Sequence, residues 1–291
     1  FNISGVFGGN LREVNFLGNN DNYSEEGGVV YDAEATEILF FPNEITEFKI
    51  SDKMTVVKSG VFKGKTTLES IIISKNVRTI EDGAFENCYG LKTIIFEEGG
   101  TESLHIGNNA FYGCQVLNML TLNGRGGAEI TIGERAFAAK QGSSSTPYPR
   151  QTVAEITLPE GVKSIGKFAF ERSEKLETVN LPASLAEIAG FEDNDYYLTG
   201  PFQDQNNALK ITGILDQNDP EAPPVTSVSI FNGSSSLKNV NVATGNAYYE
   251  SKDGVLYGKT DGNIATLLYV PRQSEAGLMP DEYKQEEGER G

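Results

Sequence analysis

One histidine and two cysteines are the residues of this chain best suited to catalysis or metal binding. His105 stands between Leu104 and Ile106 in a strand-like stretch, with no second histidine and no flanking cysteine to share a zinc ion. A serine triad would have to use it, yet the glycine pattern of a nucleophile elbow is missing. It reads as a partly exposed strand residue. Cys88 and Cys114 each lie three residues after a phenylalanine and so occupy one position of successive repeats. Two cysteines make no disulfide framework, and side chains stacked in parallel do not point at each other, so these read as small apolar fillers. Two acidic stretches raise the question of calcium: Glu192, Asp193, Asn194 and Asp195, and Asp216, Gln217, Asn218 and Asp219. Neither has the loop length and closing glutamate of an EF-hand, and they read as solvated loop acids. The pieces GRGGAE and GGTES lack the lysine and following helix of a phosphate loop. No catalytic residue, cofactor or metal site follows.

Composition narrows the partners. The 291 residues are 38% hydrophobic and 22% charged, the balance of a folded chain. A net charge of −17 argues against nucleic acid and anionic lipid, since both require basic patches. The longest apolar runs fall far short of the roughly 20 residues that span a bilayer, so no transmembrane segment is expected. The opening FNISGVF shows neither a basic n-region nor an apolar h-region, which leaves a signal peptide neither shown nor excluded.

The elements that would position any surface come from an internal repeat. A small or apolar residue and a phenylalanine recur at Val61-Phe62, Ala84-Phe85, Ala110-Phe111, Ala136-Phe137 and Ala169-Phe170, with weaker copies at Pro201-Phe202 and Ile230-Phe231. Five positions before the first five phenylalanines stand Val57, Ile80, Ile106, Ile132 and Ile165. Six positions after most of them, Leu68, Leu91, Leu117, Leu176 and Leu237 open alternating runs such as LESIII, LKTIIF and LETVNL. The phenylalanines are 23, 26, 26, 33, 32 and 29 residues apart, but the excess collects in three polar insertions, Ala138 to Thr152, Ala189 to Gly200 and Leu215 to Pro224. Core segments cannot change length without losing register, whereas exposed turns can. The pattern is a stack of about seven coils, mainly β with short helical turns, whose phenylalanines pile into a spine.

The stretch VAEITLPEGVKSIGKFAFERSEKL, Val153 to Leu176, resembles the BspA-like class of leucine-rich repeats, with Pro159, Val162, Ile165, Gly166, Ala169 and Phe170 in register and Ser173 in the cysteine slot. The resemblance runs from about Thr46 to Val242. It implies a right-handed leucine-rich-repeat solenoid closed by β-hairpin units. Such a unit is visible at both ends: LREVNFLGNNDNYSEEGGVVY aligns without a gap on LKNVNVATGNAYYESKDGVLY, with eight of 21 positions identical. The organisation expected is a hairpin cap over 1–45, a solenoid over 46–242, a second cap over 243–273 and a frayed acidic tail over 274–291. The resemblance further implies a secreted or cell-surface bacterial protein that binds proteins of a host or a neighbouring cell.

The surface expected to do so is the strand face. Ser70 and Ile72, Thr93 and Ile95, Met119 and Thr121, Glu155 and Thr157, Thr178 and Asn180, and Asn239 and Asn241 alternate with buried anchors and should point outward in two ladders. Ile72, Ile95 and Met119 are expected to form an exposed apolar patch beside polar Thr121, Thr157 and Asn180. Tyr148, Tyr196 and Tyr197, in the insertions, could anchor a protein partner or stack on a glycan. A glycan-binding accessory protein of the envelope is the alternative.

Overall fold

Alternating apolar residues three to five positions long, separated by glycine- and asparagine-rich corners, make short strands that can be completed only by neighbouring coils. The computed structural model describes residues 14, 21–140, 151–189, 231, 234 and 236–269, with side chains to 264. The chain begins with an antiparallel three-stranded sheet, β1 (Tyr23–Glu26), β2 (Val29–Asp32) and β3 (Ile38–Phe40). The coils then give strands alternately to two walls: β4 (Glu47–Lys49) and β5 (Val56–Val57), β6 (Ser70–Ile73) and β7 (Thr79–Ile80), β8 (Thr93–Phe96) and β9 (Leu104–Ile106). The series continues with β10 (Met119–Thr121) and β11 (Ile130–Ile132), β12 (Glu155–Thr157) and β13 (Val162–Ile165), β14 (Thr178–Leu181) and β15 (Glu187–Ile188). A last coil strand, β16 (Asn239–Val242), precedes a second antiparallel sheet of β17 (Tyr249–Lys252), β18 (Val255–Thr260) and β19 (Asn263–Tyr269).

All pairings between coils are parallel. The wall of odd-numbered strands runs unbroken from β5 to β15. The opposite wall is divided into β4-β6-β8-β10 and β12-β14-β16. The division falls at the insertion between Ala138 and Thr152. There the β11–β13 pairing slips by one residue, from Ile130↔Val162 to Thr131↔Ser164, leaving Lys163 as a bulge that adds twist.

Between the walls the phenylalanine rings form the spine. Phe62, Phe85, Phe111, Phe137 and Phe170 stack face to face with centroids 4.5, 4.7, 5.2 and 5.6 Å apart and planes within 9°. Each amide is satisfied by the next coil: Phe62 N–H donates to Ala84 O, Phe85 to Ala110 O, Phe111 to Ala136 O and Phe137 to Ala169 O, at 2.7–3.0 Å. The alanines before the later rings are fully buried. The helical turns expected after the spine are successive i→i+3 turns, as in Cys88 N–H to Phe85 O and Leu91 N–H to Cys88 O, rather than regular helix.

The coil expected around Phe202 falls on residues that the structure does not describe. β14 pairs directly with β16, and Phe170 faces Phe231 at 6.4 Å, so neither the strand wall nor the spine has a rung between them. Residues 190–230, which include Phe202, lie outside the described residues, as does the tail expected over 274–291.

Gln151 and Arg125 are among the polar side chains that the interior holds. Gln151 takes over the cysteine slot displaced by the insertion, donating to Cys114 O at 3.1 Å and Phe137 O at 3.3 Å while accepting from the Ser173 hydroxyl. Arg125 is 1% exposed, and its guanidinium fills the space that Gly100 leaves open, donating to Lys75 O at 3.0 Å and Glu102 O at 3.5 Å. One arginine thereby ties the corners of three successive coils. Desolvation holds its guanidinium below the usual arginine range.

The C-terminal hairpin sheet lies against the end of the stack. Asn246, 2% exposed, donates to Pro182 O and Leu185 O at 3.0 and 2.9 Å and accepts from the amides of Tyr248 and Tyr249. The Tyr249 hydroxyl accepts from the Ile188 amide at 3.0 Å, which satisfies an edge donor of β15.

Candidate functional site

The divided wall carries the outward residues singled out from the sequence, and the pairing fixes their neighbours. One column runs Glu47, Ser70, Thr93, Met119 and the other Lys49, Ile72, Ile95, Thr121. Beyond the division the columns are Glu155, Thr178, Asn239 and Thr157, Asn180, Asn241. The expected ladders are therefore present, but the apolar patch differs from expectation. Ile72 and Ile95 are cross-strand neighbours and only partly exposed, whereas Met119, 49% exposed, takes the Ser70 and Thr93 position. Met119 opens its strand one step earlier in the alternation, so it meets Ile95 only diagonally.

The second half of the wall is a hydrogen-bonded polar face. Asn180 Nδ2 donates to Glu155 Oε1 at 2.7 Å and Thr157 Oγ1 at 2.9 Å, and Asn241 Nδ2 donates to Asn180 Oδ1 at 2.9 Å. These bonds hold the amides in a fixed plane and leave them little rotamer freedom to lose on binding. Ion pairs between coils border both halves: Glu69 with Lys92 at 2.8 Å, Glu177 with Lys238 at 2.9 Å, and Lys49 with Glu97 at 2.8 Å. The Glu97 hydrogen bond raises the Lys49 amine, and the Ser74 hydroxyl lowers the Asp52 carboxyl beside it. Exposed pairs of this kind add little stability. They do keep much of the charge next to the wall paired.

The other candidate groups are placed as follows. His105 is exposed in the middle of β9, with Nδ1 2.8 Å from Thr131 Oγ1, on the wall away from the ladders. Cys88 and Cys114 are buried free thiols whose Sγ atoms face Phe62 O and Phe85 O at 3.0 and 3.6 Å. Burial pushes the Cys88 thiol up to about 12 and the Cys114 thiol well above its usual value. Both are expected to resist alkylation by iodoacetamide at pH 8 in the folded protein and to react once it is unfolded in guanidinium, as read by mass spectrometry. Rapid labelling of either native thiol would contradict this burial.

Among the described residues no group of three His, Cys, Asp or Glu side chains could hold a metal ion. Nor is any helix long and apolar enough to cross a membrane. A pocket lined by Ile38, Ile50, Met54, Val57 and Val61 has a volume of about 10 Å³, the space of one water and far below the roughly 300 Å³ of a ligand site. Tyr148, Tyr196 and Tyr197, like the two acidic stretches, lie outside the described residues. The sequence reading missed Gln151 and Arg125; the arginine's one signal was its place between glycines in NGRGG.

Comparison with known proteins places this geometry. The family model described as the BspA type leucine rich repeat region matches in six copies over residues 36–152 and 144–192, more than half of the chain. A leucine rich cell surface protein from Faecalibacterium prausnitzii A2-165 has a similar structure, with a TM-score of 0.50 and 20% identity over 87% of this chain and 62% of its own. The pneumococcal vaccine antigen PcpA is 20% identical over 90% of this chain and 57% of its own, with a TM-score of 0.41. A leucine-rich repeat protein from Bacteroides ovatus ATCC 8483 is 28% identical over 59% of this chain and 42% of its own, with a TM-score of 0.38. The chain thus spans less than two thirds of the length of each of these structures. No curated protein matches it in sequence.

Proposed function

The chain belongs to the BspA-type leucine-rich-repeat family, and from that premise we propose that it is a non-catalytic binding or adhesion protein of the bacterial cell surface that contacts protein partners through its divided strand wall. One observation carries the reading: a broad, preorganised face with an apolar half at Ile72, Ile95 and Met119 and an amide-and-hydroxyl half at Thr157, Asn180 and Asn241. Apolar contact area with fixed polar groups alongside it suits a protein partner. Repeat families of this kind generally bind rather than catalyse. The Faecalibacterium structure is described as a cell surface protein, and the same setting is proposed here.

The test compares the wild-type chain with an Ile95→Lys, Met119→Arg double variant in binding to host-cell and bacterial surface proteins. Binding at least tenfold weaker, about 1.4 kcal/mol, is expected, with the melting temperature nearly unchanged because both side chains reach solvent. A Thr79→Lys variant on the opposite wall should bind as wild type does. Unchanged binding by the double variant would reject the wall. Glycan binding lost in a Tyr196→Ala, Tyr197→Ala variant would transfer the function to the insertions.

A further inference from the structure

We propose that Lys65 and Asn43 become joined by an intramolecular isopeptide bond, which fastens the N-terminal hairpin sheet to the coil stack. The observation is a contact of unusual chemistry. Lys49, Lys58, Lys63, Lys92 and Lys238 all meet carboxylates of other coils, which an amine does not displace without activation. Lys65 instead donates to a carboxamide, with Nζ 2.9 Å from Asn43 Oδ1 in a partly buried site. A carboxamide has a leaving group, since its nitrogen can depart as ammonia.

The two residues are held together from several sides. Asn43 lies just beyond β3, and its backbone carbonyl accepts a hydrogen bond from the Thr67 hydroxyl. The Lys65 amide donates to Phe62 O at 3.1 Å, which fixes the start of its side chain at the spine. Its ammonium sits 5.9 Å from the ring centroid of Phe40, itself 5% exposed. Burial holds the amine below the ordinary lysine range even though Glu44 pulls it the other way, so more of it is in the neutral, nucleophilic form. Reactants held in contact gain the advantage of proximity over any intermolecular reaction.

The step balances without an oxidant or cofactor. The Lys65 Nζ lone pair attacks Asn43 Cγ, and a new C–N bond forms as the carbonyl opens to a tetrahedral intermediate. A proton moves from Nζ to Nδ2, the Cγ–Nδ2 bond breaks, ammonia leaves, and an amide remains.

The experiment is the intact mass of the purified full chain, followed by peptide mapping. The wild-type chain is expected to be lighter than its sequence by one ammonia, with a branched peptide that joins Asn43 to Lys65. Lys65→Arg, which keeps the charge, and Asn43→Ala should each have the full sequence mass. A wild-type chain of full mass overturns the proposal. So does an ammonia loss that survives both substitutions, because it would belong to cyclisation elsewhere, such as Asn123 before Gly124.

Discussion

Phe111→Ala is expected to destabilise the protein by about 3–5 kcal/mol, the range for deleting a large aromatic side chain from a packed core. Its ring is fully buried, stacks on Phe85 at 4.7 Å and Phe137 at 5.2 Å, and meets Phe96 edge-on at 6.3 Å. Alanine would leave a cavity whose floor and ceiling are aromatic faces held by the backbone bonds between coils, so the site cannot collapse. In a structure whose coils touch only their neighbours, weakening one interface also loosens the coupling between the two halves. The urea transition followed by circular dichroism should therefore move to lower concentration and broaden. Phe168→Ala is the matched control. That ring is half-buried under the Arg135 guanidinium at 4.5 Å, a contact worth about 0.5–1 kcal/mol. Equal losses in the two variants would mean that the spine does not hold the stack.

Gly166→Ala should cost about 2–3 kcal/mol, near the top of the range for overpacking, because the obstacle is backbone. A Cβ at Gly166 would stand 2.5 Å from Glu134 N and 2.5 Å from Gly133 C, and one at Gly133 would stand 2.7 Å from Gly107 C. Glycine thus lies on glycine down this corner, and the coils approach closely there because no side chain separates them. A methyl group must push adjacent coils apart and stretch Gly166 N–H to Ile132 O, now 2.7 Å. Gly124→Ala, whose Cβ would meet nothing nearer than Glu160 O at 3.4 Å, should stay within about 0.5 kcal/mol of wild type. Thermal unfolding of the three proteins decides it; a Gly166→Ala variant as stable as Gly124→Ala would show that the corner can yield.

The spine and the ladders were legible in the sequence because both belong to segments whose length cannot vary. Phe85, Phe111 and Phe137 stand at a fixed offset from Ile80, Ile106 and Ile132, so their stacking follows from counting. The apolar patch was less legible, because outward positions carry no packing constraint and only the pairing register separates the Met119 column from the Ile95 column. Arg125 and Gln151 were hidden because a buried polar side chain depends on carbonyls contributed by coils up to 50 residues away, which no local pattern records.

The uneven continuity of the two walls sets how the molecule flexes. Six strands hydrogen-bond in an unbroken series on one side, while on the other the series stops between Thr121 and Glu155. Bending that opens the gap breaks no strand ladder and strains only the Thr152 N–H to Leu117 O bond across it, whereas bending the other way stretches a complete six-stranded sheet, so compliance is concentrated in one direction at one level. The outer face accordingly acts as two stiff panels on a common leaf hinge. A ligand that spans both panels fixes the angle between them, and one that rests on a single panel leaves it unrestrained.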